Sequence, residues 1–321
     1  MPITVALAGD TMLGRGVAER LEAGPLDSLV APEVVASIAE ADLFVLNLEC
    51  CISDRGRPWV RPGKPFFFRA PPEAVQFLTY LGVDCVTLAN NHALDFGHEA
   101  LLDTVALLDD AGIAHVGAGA DLDRARRPAV LNAHGFRMTV LGISDHPDDF
   151  AATADRPGIA YDDLDDRVPD WLVEQIDDSR SSGSAVLVTP HWGPNMTAAP
   201  LPRVRKAAME LVAVGATLVA GHSAHVFHGV DGAALFDLGD FIDDYAVDPV
   251  LRNDLGLLFL VTLDEERPIR LEAVPLKLEY CYTRLADGED ARWITKRFQD
   301  ACADLGTDVA QYGGRLVVTS T

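Results

Sequence analysis

Short apolar runs recur along this chain between longer stretches of helical spacing, which is the layout of an α/β protein. The runs predict strands over residues 3–8, 43–48, 85–89, 114–116, 137–143, 185–190, 218–220 and 233–238. The amphipathic stretches predict helices over 32–40, 72–81, 98–111, 169–180, 202–214 and 289–303. Several open on proline, whose missing N–H costs nothing in a first turn. Residues 257–263, a turn at Glu265-Glu266-Arg267-Pro268 and residues 269–278 read as a β-hairpin. Antiparallel strands arriving late, after early βα units, imply more than one sheet. The Asp- and Pro-rich stretch 148–166 has weak periodicity and reads as a surface loop or lid. No repeat or low-complexity tract interrupts the pattern.

Composition narrows the partners. The 321 residues carry 26 Lys and Arg against 49 Asp and Glu, a formal charge of −23. No cationic surplus exists to neutralise nucleic-acid phosphates or dock on anionic lipid, so neither is an expected partner. Hydrophobic residues make up 49% of the chain, enough for an ordinary core. The N-terminus lacks a basic start and a long apolar region, a poor secretory signal. No uncharged apolar run approaches the roughly 18 residues of a membrane span. The expectation is a cytoplasmic protein. Five cysteines, Cys50, Cys51, Cys85, Cys281 and Cys302, include no CxxC pair and read as reduced core residues.

The candidate chemistry sits directly after predicted strands, where layered α/β proteins place their crevices. The clusters are Ala8-Gly9-Asp10, Asn47-Leu48-Glu49, Ala89 through Asp95 with Asn90-Asn91-His92 inside it, Pro190-His191-Trp192-Gly193, and Gly221-His222-Ser223-Ala224-His225. Carboxylate oxygens mixed with imidazole suit Mn, Fe, Zn or Mg, and a bridging carboxylate can hold two ions about 3.5–4 Å apart. Arg15, Lys64 and Arg69 are the cations available to grip an anionic substrate, and Trp192 a wall for it. Asp237, Asp240, Asp243 and Asp244 read equally as supports for metal-binding histidines or as a solvated acidic loop. His98, His115, His134, His146 and His228 complete no ligand spacing.

These residues carry a family resemblance. Gly9-Asp10-Thr11-Met12-Leu13-Gly14-Arg15, Asn47-Leu48-Glu49, Lys64 through Ala70, Leu88 through Gly97, His191-Trp192-Gly193-Pro194, Gly221 through Val226 and Asp237-Leu238-Gly239-Asp240-Phe241 resemble the poly-gamma-glutamate capsule-biosynthesis (CapA-type) family. The match runs in order over roughly residues 3–262. That family is similar to the calcineurin-like metallophosphoesterases. The resemblance implies a four-layer αββα sandwich of two mixed β-sheets flanked by helices, one unit over 1–321 with a hairpin and helix extension at 264–321. It implies one or two divalent ions, Mn, Fe or Zn, held by Asp10, Glu49 as bridge, Asn91, His191, His222 and His225, with His92 as proton donor. Met12 stands where the broader superfamily has a histidine, Glu49 replaces an aspartate, and His222 and His225 are spaced one residue wider than its Gly-His-x-His.

The expected function is metal-dependent hydrolysis of a phosphoester or related anionic substrate, a small molecule or peptide. Three alternatives stand beside it: making or processing a gamma-glutamyl polymer, peptide epimerisation by His or carboxylate acid–base chemistry, and a non-catalytic binding role.

Overall fold

The strand Ile3–Thr11 shows how the layers form. Its Ile3, Val5 and Leu7 belong to one buried cluster, while Ala6 and Ala8 belong to another. Those are the two faces that a period-two strand presents. The computed structural model describes residues 2–61, 63–265 and 267–319. Among them, a ten-stranded mixed sheet runs in the order Ala310–Tyr312, Arg315–Thr319, Pro268–Glu279, Leu255–Leu263, Ile3–Thr11, Leu43–Leu48, Cys85–Thr87 and Ala114–Val116. Asp240–Ile242 pairs with the end of Ile3–Thr11, and Tyr282–Leu285 with Pro268–Glu279. A six-stranded sheet is built from Val230–Asp231, Ala234–Leu235, Leu218–Ala220, Ala185–His191, Phe136–Ser144 and Ala129–Ala133.

The two sheets share an apolar layer that includes Val5, Leu7, Val140, Leu187 and Phe259. Outside the larger sheet, helices Pro32–Ile38, Ala74–Tyr80 and Gly97–Ala111 pack on its other face through Val34, Phe77 and Leu101. Outside the smaller sheet, Asp170–Ser181 and Pro202–Ala213 cover Val186, Val188 and Val219 through Leu172, Ile176, Val204 and Leu211. Helix Gly288–Ala303 closes one end of the inter-sheet layer with Ile294, Phe298 and Cys302. The four-layer αββα arrangement expected from the sequence is the one observed.

Two local readings need correction. Stretch 148–166 is packed down rather than draped over the surface: Phe150, Ile159 and Leu164 are buried, and Gly158–Ile159 pairs with Ala118–Gly119. The periodicity does not predict helix Arg15–Ala23, since only Val17 and Leu21 are buried along it. All five cysteines are buried free thiols. No helix among the described residues is long and apolar enough to cross a membrane.

Candidate metal centre

Parallel pairing brings the carboxyl ends of six strands to one place. Asp10 stands in register with Asn47 on one side and with Asp240 on the other, while His191 bridges to His222. The pairing of Ile3–Thr11 with Leu43–Leu48 shifts between Ala8 and Asp10. Such a shift re-aims the side chain that follows it. Gly9 permits this, because a Cβ there would lie 1.8 Å from the Gly239 carbonyl oxygen.

Asp10, Glu49, His225 and Asp240 place one donor atom each within 4.8 Å of one another, all four residues being buried. His222 Nδ1 lies 3.4 Å from Asp10 Oδ1, and His191 Nε2 lies 4.0 Å from Glu49 Oε1. His225 Nδ1 is 2.8 Å from Asp240 Oδ1, 3.3 Å from Asp10 Oδ2 and 3.9 Å from Glu49 Oε2. Glu49 therefore stands between the His191 side and the His225 side. Asn47 donates to Asp10 Oδ1 at 2.7 Å, and Asn90 donates to Asn47 Oδ1 at 2.9 Å.

Many donors are left over. Asp10 Oδ2, both oxygens of Glu49, Asn91 Oδ1, both ring nitrogens of His191, His222 Nδ1 and Asp240 Oδ2 are buried without a hydrogen-bond partner. Burial, then the charge on Asp10, pushes Glu49 well above the usual carboxylate range. Burial also opposes charge on Asp10, yet His222 and His225 beside it hold it well below that range. Asp240 is pushed up to about 6 by burial, against the pull of His225. Burial disfavours charge on His225, but Asp240 and Glu49 raise its pKa well above that of free imidazole. His191 is lowered by burial and then by His146. Crowded carboxylates, neutral imidazole and unpartnered oxygens are the donor chemistry of a divalent cation, so the residues fit one.

His92 sits at the rim. Its Nδ1 lies 2.6 Å from Asp95 Oδ2, and its ring stacks on Phe68 with centroids 4.1 Å apart. Burial lowers its pKa while Asp95 works against that. Lys64 Nζ contacts Asp95 Oδ1 at 2.8 Å and donates to the Asn91 carbonyl at 2.9 Å. Asp237 accepts from the Ala224 N–H at 2.8 Å and the Gly239 N–H at 2.9 Å. That grip holds a turn in which Ser223 and His225 have φ of 113° and 58°, the left-handed region that non-glycine residues avoid.

Three cavities open beside the centre. One of about 650 Å³ is lined by Arg15, Phe66, His92, His225 and Tyr245, one of about 480 Å³ by Lys64, His92 and His146, and one of about 410 Å³ by Asn91, Asp145, His146 and Arg203. The expected anion contacts are only partly met. Arg15 lines a cavity but is ion-paired with Asp244 under Phe68 and Tyr245, and Lys64 is committed to Asp95. Arg69 instead stacks on Phe96 and donates to the Arg55 carbonyl, bordering none of these cavities. Trp192 is not a pocket wall: it is buried in the core under helix Pro202–Ala213, its indole N–H donating to Phe236 O at 2.9 Å. Met12 is core too, its sulfur accepting from the Gly14 N–H at 3.1 Å.

The sequence reading missed two contributors. By sequence Asp240 reads only as a support or a loop acid, yet its carboxylate lies within the cluster. His146 completes no ligand spacing in the sequence, yet its ring lies 5.1 Å from that of His191 and it pairs with Asp145. The signal was available, since Asp145-His146 also follows a predicted strand.

The family model described as "Bacterial capsule synthesis protein PGA_cap" matches residues 4–245. A "Probable polyglutamine synthesis accessory protein" of Mycobacterium tuberculosis is 33% identical over 361 aligned positions, covering 96% of this chain and 93% of the relative. The "Capsule biosynthesis protein CapA" of Bacillus anthracis is 28% identical, covering 86% of this chain and 68% of its own. The NAD nucleotidase of Haemophilus influenzae overlays loosely, at a TM-score of 0.45 and 9% identity over 95% of this chain and 58% of that one.

Proposed function

The chain belongs to the bacterial capsule synthesis protein family, and from that premise we propose that its buried donor cluster is a divalent-metal centre for hydrolysis of an anionic substrate, a glutamyl chain being the favoured class. The observation that carries this reading is the set of unpartnered donors on Asp10, Glu49, Asn91, His191, His222 and Asp240. An unsatisfied buried polar atom costs about 1–3 kcal/mol, so a fold that keeps several together has a use for them. A divalent ion supplies Lewis acidity and water of lowered pKa when bound.

The rest is the work of this chain's residues. Asp95 fixes the His92 ring through Nδ1, leaving Nε2 as the atom that gives or takes a proton. Phe68 covers one face of that ring and excludes water from it. Lys64 ties Asp95 to the Asn91 backbone, so proton donor and amide donor move as one unit. Asn47, itself held by Asn90, orients Asp10. The relatives' names speak of capsule and polyglutamine synthesis, which favours a glutamyl polymer over a phosphoester.

Elemental analysis of protein purified without chelators, beside Asp10→Ala and His191→Ala, tests this reading. One or two equivalents of Mn, Fe or Zn, lost in both variants together with metal-dependent release of glutamate from a γ-linked oligomer, is the expected result. Turnover of p-nitrophenyl phosphate instead would move the substrate class to phosphoesters. Wild-type protein without metal, or variants that lose metal and keep turnover, would overturn the hydrolase. Solvent deuterium entering a peptide Cα would then favour epimerisation.

A further inference from the structure

Residues 193–200 form a strap with different surroundings at its two ends. Asn195 and Met196 line the cavity beside His92 and His225, whereas Ala198, Ala199 and Pro200 line a separate groove of about 720 Å³. That groove is bordered by helices Pro202–Ala213 and Gly288–Ala303, the second of which lies beyond the family match at 4–245. Its charged lining is Arg205, Arg292, Lys296 and Arg297 against Asp300 and Asp304, around the face of Trp293.

The cations here differ from those at the metal centre. Arg15, Arg61, Lys64 and Arg203, which line the three cavities there, are each paired with a carboxylate. Among the described residues, Lys296 pairs with Asp300, but Arg205, Arg292 and Arg297 have no carboxylate within salt-bridge distance. Arg297 is also preorganised. Its guanidinium lies 5.4 Å from the ring centroids of both Phe227 and Trp293, Nη2 donates to the Ala198 carbonyl at 3.4 Å, and Nε is buried without a partner. In a chain of net charge −23, uncompensated arginines gathered in one groove mark a place for an anion.

We propose that this groove is a second binding site, for a linear polycarboxylate, which it holds while another part of the same molecule reaches the metal centre. Arginine forks match carboxylates, and the Trp293 face and arginine stems match the methylenes between them. Asn195 and Ala198 are three residues apart, roughly 10 Å of extended chain, so a polymer of several units spans both. A nucleic acid, with one charge per about 1.7 Å of duplex, would need many more cations than the few that line this groove. The proposal relies on the hydrolytic reading only for what lies at the far end of the polymer; binding in the groove stands without it.

The test is fluorescence anisotropy of a labelled γ-linked glutamate decamer at low salt, with wild-type protein, Arg205→Glu/Arg292→Glu and His191→Ala. Both arginines are exposed, so the double variant folds normally, which a matching thermal melt verifies. The expected result is at least tenfold weaker binding by the double variant, retained binding by His191→Ala, and a wild-type preference for the decamer over free glutamate and over decathymidylate. Equal binding by wild type and double variant, no binding by wild type, or equal affinity for decathymidylate would overturn the proposal. Loss of binding in His191→Ala alone would place the polymer at the metal centre and overturn the groove, whereas absent hydrolysis with intact groove binding would sink only the hydrolase.

Discussion

His92 and Asp95 form a buried pair, Nδ1 and Oδ2 lying 2.6 Å apart, and everything His92 can do follows from that contact. Burial pulls the imidazole pKa down and the Asp95 charge pulls it back up. Asp95→Asn removes the second pull. The limb of the pH–rate profile that depends on protonated His92 should therefore move to lower pH, with turnover falling about 10–100-fold. Metal content should stay at the wild-type value. An unmoved limb would mean that Asp95 serves only to hold the Phe68 N–H and the Lys64 ammonium.

Glu49 separates metal binding from stability. Its charge is opposed by burial and by Asp10, so the carboxylate is costly unless a cation stands beside it. Glu49→Gln should leave the metal-free protein as stable as wild type or more so. It should abolish the stabilisation expected of wild type on adding Mn²⁺, about 2.7 kcal/mol at a hundredfold excess over Kd and seen as a rise in Tm. Differential scanning calorimetry with and without metal reads both effects. A variant that loses stability without metal and keeps the metal response would place Glu49 in packing instead.

Much of this was legible in the chain, for identifiable reasons. Strands Leu43–Leu48 and Leu218–Ala220 fall where their apolar runs do, because central strands buried on both faces read as near-continuous apolar runs. Asp10, Glu49, His222 and His225 each come after an apolar run in the sequence, and their side chains lie close together in space. Asp240 was not assignable, since its role comes from a short strand laid against the last residues of Ile3–Thr11, a long-range pairing that no local pattern encodes. Trp192 differs for the opposite reason: it adjoins the candidate ligand His191 in sequence, yet its side chain points into the core.

Asp237 acts on the centre without being among its clustered donors. By accepting from Ala224 and Gly239 it holds the turn that aims His222 and His225, two of whose residues sit at left-handed φ. Such residues cost about 1–3 kcal/mol each unless the surroundings enforce them. Asp237→Asn keeps the shape and loses one of the two acceptors. Metal affinity should fall about 10–100-fold, read by competition with a fluorescent chelator. Unchanged affinity would show that the Ser223 bond to the Gly193 carbonyl suffices to hold the turn.

His228 links the strap to acid stability. It is buried with Nε2 2.8 Å from the Thr197 carbonyl and Nδ1 without a partner, and burial lowers its pKa to about 4 from 6.5. The folded value lies below the unfolded one, so between them the unfolded chain binds the extra proton. The stability this histidine confers is complete above pH 6.5 and is lost as pH falls towards 4, by up to about 3 kcal/mol. Other buried histidines and acids titrate as well, so the measurement is a difference. His228→Gln keeps a donor for Thr197 and has nothing to titrate. Urea unfolding at pH 7 and pH 4.5 should show the variant gaining on wild type as the pH drops. A difference between the two proteins that stays constant with pH would mean that His228 is not held neutral in the folded state.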